Sequence, residues 1–272
     1  MQEGVSYDDR FDIAKFDVYS PPRRATPRPA VLVIHGGGWH DGPGLDRTGM
    51  ADHAHRLAEA GYVAFNLDYR VTPNGGEFPH AVQDCVCALA FVRAHAEEYG
   101  IDPLRVAAYG YSAGGHLASM LGTAAYDPVV APDCAAGSTG PVVAVVSGAG
   151  PQDMRLLPEV SVVTEFLGGT QAELPDAYLD ASPIVHVAPG APPFLFISGD
   201  NDWFVDIEHS RRMQAALAEV GTSSKLLAIP GGGHLFNRGV SGASWDLELS
   251  IDTPESWAAT IDFLDRTIGG DL

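Results

Sequence analysis

Arg105-Val106-Ala107-Ala108-Tyr109-Gly110-Tyr111-Ser112-Ala113-Gly114-Gly115-His116-Leu117 is the stretch from which the rest of the chain can be read. Residues 105–108 form an apolar run of strand type. Residues 113–124, with Leu117, Met120 and Leu121 on one side, carry a helical pattern. Between them Gly110-Tyr111-Ser112-Ala113-Gly114 matches GxSxG. On so sharp a strand-to-helix turn the serine is forced outward from the strand end, and the glycines relieve crowding where the backbone doubles back. The helix start aims its positive end and unbonded N–H groups at the space beside the hydroxyl. The bland alternative is a glycine-rich structural turn with an idle serine.

The same alternation continues outward. Strands are expected at residues 30–34, 62–67, 142–147, 193–197 and 225–229, mostly as continuous apolar runs of the kind covered on both faces. An antiparallel edge hairpin is expected from Phe11 and Ile13 with Phe16 and Val18. Helical patterns occupy residues 53–60, closed by Gly61, then 81–99, and 207–220, closed by Gly221. A last helix begins with Thr253 as N-cap and Pro254 in its first turn, with Trp257, Ile261, Leu264 and Ile268 facing inward. The order predicts an α/β fold: a single doubly wound, mostly parallel sheet flanked by helices, one domain over residues 1–272. Residues 149–192 could cover part of a site but are too few for a separate cap domain.

Composition limits the function. The chain has 272 residues, 46% hydrophobic and 19% charged, which supplies a core. Asp and Glu number 35 against 16 Lys and Arg, a formal charge of −19. Such a field repels phosphate backbones and anionic lipid, so neither nucleic acid nor membrane is expected as a partner. Lys15 and Lys225 are the only lysines and neither stands in a GxxxxGK[ST] context, which excludes a P-loop. Cys85 and Cys87, two apart in a helical pattern, point away from each other and read as small core hydrophobes. No Cys/His spacing suggests zinc, and no metal or cofactor is expected. The cysteines lean toward a cytoplasmic protein; a mature secreted form with its signal removed is the other reading.

A serine hydroxyl needs a base and an orienting acid to act as nucleophile. Of the downstream histidines, His234 follows the strand at 225–229 in Gly231-Gly232-Gly233-His234, free to reach the sheet edge. His186 precedes an Ala-Pro segment and His209 lies in a helical pattern. For the acid, Gly199-Asp200-Asn201-Asp202 follows another strand. Asp202 is chosen for its position on the loop, with Asp200 read as satisfying loop N–H groups and Asp206 as an N-cap. A cation loop at Asp200 and Asp202 lacks a third oxygen ligand, since Trp203-Phe204-Val205 follows. Three glycines in His35-Gly36-Gly37-Gly38-Trp39 let backbone N–H groups approach a substrate oxygen. Gly37 and Gly38, joined by the Ala113 N–H, are the expected oxyanion donors. A phosphate loop would need a GxGxxG pattern that is absent.

His35-Gly36-Gly37-Gly38-Trp39, Asp68-Tyr69-Arg70, Gly110-Tyr111-Ser112-Ala113-Gly114-Gly115 and the late Asp202 and His234 together resemble the α/β-hydrolase esterases. They are most similar to the cap-less branch related to hormone-sensitive-lipase-like and feruloyl/acetylxylan esterases. The resemblance runs from about Val18 to the C-terminal helix. It implies a Ser112–His234–Asp202 triad, an oxyanion hole of Gly37, Gly38 and Ala113, and hydrolysis of a small-molecule carboxylic ester. The chain departs from the pattern at Ser198-Gly199, where relatives often have His-Gly, and around Cys134. Asp68-Tyr69-Arg70 is expected to serve an ion pair or packing, and His80 and His116 are expected to be structural. Without a cap, short acyl or aryl esters are the expected substrates, and Trp39, Tyr111, Met154, Trp203 and Phe236 the candidate pocket residues. Amide or formamide cleavage, polysaccharide or polyester hydrolysis, and a non-catalytic binding protein of the same fold stay open, as does the oligomeric state.

Overall fold

The apolar runs pair edge to edge. The structure, a computed structural model, describes residues 1–132, 134, 137–236 and 252–270. Its strands are β1 (Gln2–Ser6), β2 (Lys15–Tyr19), β3 (Arg28–Ile34), β4 (Val63–Leu67), β5 (Ile101–Tyr111), β6 (Val145–Gly148), β7 (Phe194–Gly199) and β8 (Ser224–Ile229). Among the described residues they make one sheet in the order β1-β2-β4-β3-β5-β6-β7-β8. Every pair from β4 through β3 to β8 is parallel; β1 and β2 join antiparallel.

Alternate residues of the buried strands serve two cores. Val31 and Val33 face Ala54 and Leu57 of helix α1 (Ala51–Glu59), together with Leu264 near the chain end. Leu32 and Ile34 join the opposite core, to which α2 (His80–Ala94) and, beyond the short α3 (Ala96–Tyr99), α4 (Ala113–Thr123) contribute Val82, Leu89, Leu117 and Leu121. On that side also pack α5 (Ser161–Leu167) through Phe166, α6 (Pro175–Asp180) through Tyr178, and α7 (Glu208–Glu219) through Met213 and Leu217. The doubly wound, mostly parallel sheet is therefore the observed architecture. α8 (Pro254–Leu264) opens with the expected cap: Thr253 Oγ1 accepts from Ser256 N–H, and Ser256 Oγ accepts from Thr253 N–H.

The structure differs from the expectation in three places. The outer hairpin strand is Gln2–Ser6, and Phe11 and Ile13 lie in the connection. Turns at Asp8 and Phe11 break the run, and the Phe11 ring packs 4.0 Å from the guanidinium carbon of Arg70. The helix expected over 81–99 divides at His95, whose ring stacks on Phe91 while its Nδ1 bonds the Phe91 carbonyl at 2.8 Å.

The third difference concerns the cysteines. Cys85 is a buried free thiol, as expected, and burial pushes its pKa up. Cys87 instead forms a disulfide with Cys134, with the two Cα atoms 6.0 Å apart. Helix spacing put Cys87 opposite Cys85 but carried no signal for a partner 47 residues on. Closing a loop of that size is worth about 4 kcal/mol in the chain-entropy picture. It ties Cys134, where the sequence departs from the family pattern, to α2. Among the described residues no helix is long and apolar enough to cross a membrane.

Candidate active site

Four loops at the carboxyl ends of β3, β5, β7 and β8 converge. At the end of β5, Ser112 adopts φ 52° and ψ −119°, a conformation that costs a non-glycine residue roughly 1–3 kcal/mol. The backbone is held there from both sides: Ser112 N–H donates to Gly148 O at 2.7 Å, and His116 N–H to Ser112 O at 3.0 Å. The two glycines of the motif are steric necessities. A Cβ on Gly110 would stand 2.1 Å from Gly114 O, and one on Gly114 would stand 2.0 Å from Ile34 O. The elbow thus presses against the end of β3, and Ser112 projects from it.

Ser112 Oγ lies 2.9 Å from His234 Nε2, and His234 Nδ1 lies 2.7 Å from Asp202 Oδ2. The buried Asp202 is oriented by its own loop, because Oδ1 accepts the N–H groups of Phe204 and Val205, each at 2.9 Å. Oδ2 is left for the imidazole. An ionised carboxylate only accepts, so His234 carries its proton on Nδ1 and turns a lone pair on Nε2 toward the hydroxyl. Asp200 does other work: its Oδ1 accepts from Gly231 N–H at 2.6 Å, and Asn201 N–H donates to Gly232 O at 2.9 Å. These bonds lace the acid loop to the histidine loop. They cross where a Cβ on Gly199 would meet Gly232 O at 2.2 Å. Asp206 accepts from Glu208 N–H at 2.8 Å at the start of α7. The rings of Tyr111 and Phe204 flank the imidazole at 5.7 and 5.5 Å.

The glycine loop after β3 takes positive φ at Gly37, Gly38 and Trp39 (110°, 64° and 58°). Gly37 and Gly38 line the same cavity as Ser112 and His234. Ala113 opens α4, so its N–H belongs to the first helical turn, where amides have no intrahelical acceptor. Side chains beneath the loop fix it. His35 stacks on Tyr69 at 4.3 Å, Tyr69 Oη–H donates to His35 O at 3.0 Å, and burial lowers the pKa of His35, keeping it neutral.

The cavity has a volume of about 800 Å³. Of the five expected pocket residues, Tyr111 lines it and the others do not. Trp39 is buried, stacked on Phe166 at 4.3 Å, and its indole N–H donates to His116 Nδ1 at 3.2 Å; it anchors the glycine loop from below. Met154 is fully buried core. Phe236 is buried behind Tyr111, edge-on at 5.5 Å. Trp203 stands 57% exposed outside the wall, because the backbone bonds that aim Asp202 inward turn the next residue out. The wall is made instead by residues without a motif, among them Leu45, Met50, Arg56, Val162, Glu165 and Phe204. Among these the contribution of residues 149–192 was expected, and Ser161, Val162 and Glu165 of α5 supply it.

The remaining polar motifs are structural. Arg70 pairs with Asp84 at 2.7 Å, and Arg47 with Asp68. His116 donates through Nε2 to Ala181 O at 2.7 Å, and His209 Nδ1 accepts from Gln152 and Asp153 N–H at 3.2 and 3.3 Å. Burial drives both pKa values down from 6.5 to about 4. Neither imidazole charges in the fold at neutral pH. Below pH 6.5 the unfolded chain takes up two protons that the fold refuses until about pH 4. Stability from this source is therefore complete above pH 6.5 and is lost as pH falls toward 4, roughly 3 kcal/mol per histidine. The thermal midpoint is expected to hold between pH 8 and 6.5 and to drop steadily from 6.5 to 4; a midpoint constant across the lower interval would contradict it.

The chain has relatives among known esterases. The BD-FAE family profile matches residues 16–217. Esterase LipC of Mycobacterium tuberculosis is 34% identical over 220 residues, which is 78% of this chain and 54% of LipC. The chain spans about half the length of the curated relatives it matches. A truncated carbohydrate esterase from gut microbiota superposes with a TM-score of 0.81 at 26% identity, covering 98% of this chain and 95% of its own. A thermophilic esterase of the planctomycete Thermogutta terrifontis, Est2 with propionate bound, superposes with a TM-score of 0.74 at 25% identity, covering 97% and 92%. The sheet is that of the α/β-hydrolase esterases.

Proposed function

Because the chain belongs to the BD-FAE family, we propose that it is a serine carboxylic-ester hydrolase, working as one α/β-hydrolase domain. The observation that carries this reading is the unbroken line of hydrogen bonds from Ser112 Oγ through His234 to Asp202, at the floor of a cavity bordered by the glycine loop.

In the first half-reaction Ser112 Oγ attacks the acyl carbon while His234 Nε2 takes its proton. The imidazolium that forms is stabilised through Nδ1–H by Asp202, at the short distance of a charge-assisted bond. Negative charge develops on the former carbonyl oxygen, where the N–H groups of Gly37, Gly38 and Ala113 receive it. One such donor typically lowers the barrier by about 3 kcal/mol. Collapse expels the alcohol, which leaves with the proton from His234. Water then enters, gives its proton to Nε2 and attacks the acyl carbon; the acid departs and the proton returns to Ser112.

A cavity of about 800 Å³, with Leu45, Val162 and Phe204 among its walls, suits a short acyl or aryl ester. The propionate held by the Thermogutta esterase supports the same size range. The Cys87–Cys134 bond favours an oxidising compartment, and thus the exported of the two forms considered from sequence. The reading is tested by turnover of 4-nitrophenyl acetate before and after labelling with a fluorophosphonate, which reacts covalently with an activated serine. Turnover is expected, and it should be lost in step with labelling of Ser112. No turnover, or turnover that survives stoichiometric labelling of Ser112, would overturn it.

A further inference from the structure

The cavity wall is unevenly charged. Asp41, Asp52 and Glu165 all line it, with side chains 56%, 76% and 50% exposed. Among the described residues Arg56 is the one guanidinium or ammonium on the cavity wall, and the protein has already matched its charge. Its Nη1 lies 2.7 Å from Asp252 Oδ2 and 3.7 Å from Asp52 Oδ2, and its guanidinium carbon sits 3.9 Å over the Trp257 ring. His40, also on the wall, stands between two carboxylates, 3.0 Å from Asp41 and 3.3 Å from Glu165. Among the described lining residues no cation is left to receive an anion.

Resting on the ester-hydrolase reading, we propose that this cavity sorts esters by charge, admitting neutral and cationic substrates and rejecting anionic ones. Two effects act in the same direction. The chain as a whole bears a formal charge of −19, and a cleft with low-dielectric walls focuses such a field. Among the described residues of the cleft, an anionic group on either the acyl or the alcohol part meets carboxylates with no compensating donor cation, a repulsive term that separates substrates of equal shape. The wall carboxylates are well exposed, so their effect must weaken with added salt.

Three acetates of similar size test this: acetylcholine, its neutral isostere 3,3-dimethylbutyl acetate, and 2-acetoxyethanesulfonate. At about 10 mM salt, kcat/KM is expected to fall in that order, by about tenfold or more from first to last, and the span should shrink to about threefold at 0.5 M salt. In Asp41→Asn/Asp52→Asn/Glu165→Gln the low-salt span should contract likewise. Should the triple variant fold poorly, the salt series and Glu165→Gln alone read the same term. An anionic acetate turned over within about threefold of acetylcholine at low salt overturns the charge selection alone, as does a span indifferent to salt. Turnover of none of the three removes the hydrolase reading and this inference together.

Discussion

Ser112→Ala is expected to lower kcat for 4-nitrophenyl acetate by roughly 10⁵-fold or more, leaving the residue turnover that oxyanion donors and binding alone support. The loss has one source. Ser112 Oγ is the only atom removed, and the backbone bonds that hold the turn, Ser112 N–H to Gly148 O and His116 N–H to Ser112 O, persist. Alanine keeps the φ of 52°, so the variant should melt close to the wild type. Ser112→Gly offers an internal control, since glycine occupies that region without a Cβ penalty: it should be as inactive and somewhat more stable. Wild-type turnover by a folded Ser112→Ala protein would place the nucleophile elsewhere.

The second large effect separates two aspartates that are neighbours in sequence and unlike in surroundings. Asp202→Asn is expected to lower kcat roughly 10⁴-fold. The amide has little choice of orientation. Two backbone donors, Phe204 and Val205 N–H, claim the oxygen at the Oδ1 position, which turns the NH₂ toward His234 Nδ1. A donor there forces the imidazole proton onto Nε2, and the hydroxyl of Ser112 then faces an N–H instead of a lone pair. Asp200→Asn keeps an oxygen for Gly231 N–H and should cost less than about tenfold, through loosening of the histidine loop. Measured side by side with both proteins folded, the opposite ranking would reassign the acid.

Both aspartates follow the same strand, and the reason to prefer one came from loop position. Their partners now give a physical basis: Asp200 answers a backbone amide of the neighbouring loop, whereas Asp202 is saturated on one oxygen and open on the other. A similar gap separates the pocket residues from their expected roles. On the sequence, Trp39 and Met154 are candidates for the pocket and equally for core or loop packing, and both are buried packing residues. The disulfide belongs with these, because pairing across 47 residues leaves no periodic trace.

What the amino-acid order determined by itself was local: continuous apolar runs that become buried parallel strands, helices opened and closed by Thr253, Gly61 and Gly221, and a GxSxG turn whose glycines are required because a Cβ would collide with backbone within a few residues or on the adjacent strand. Such signals act over one turn or one strand pair, so a single sequence carries them. The tertiary structure alone decided which thiol finds Cys134 and which side chains wall the cavity. Those outcomes depend on distances between loops far apart in the chain. They are set by how the strands are ordered in the sheet and how α1 and α5 lie beside it, and no residue pattern encodes that separation.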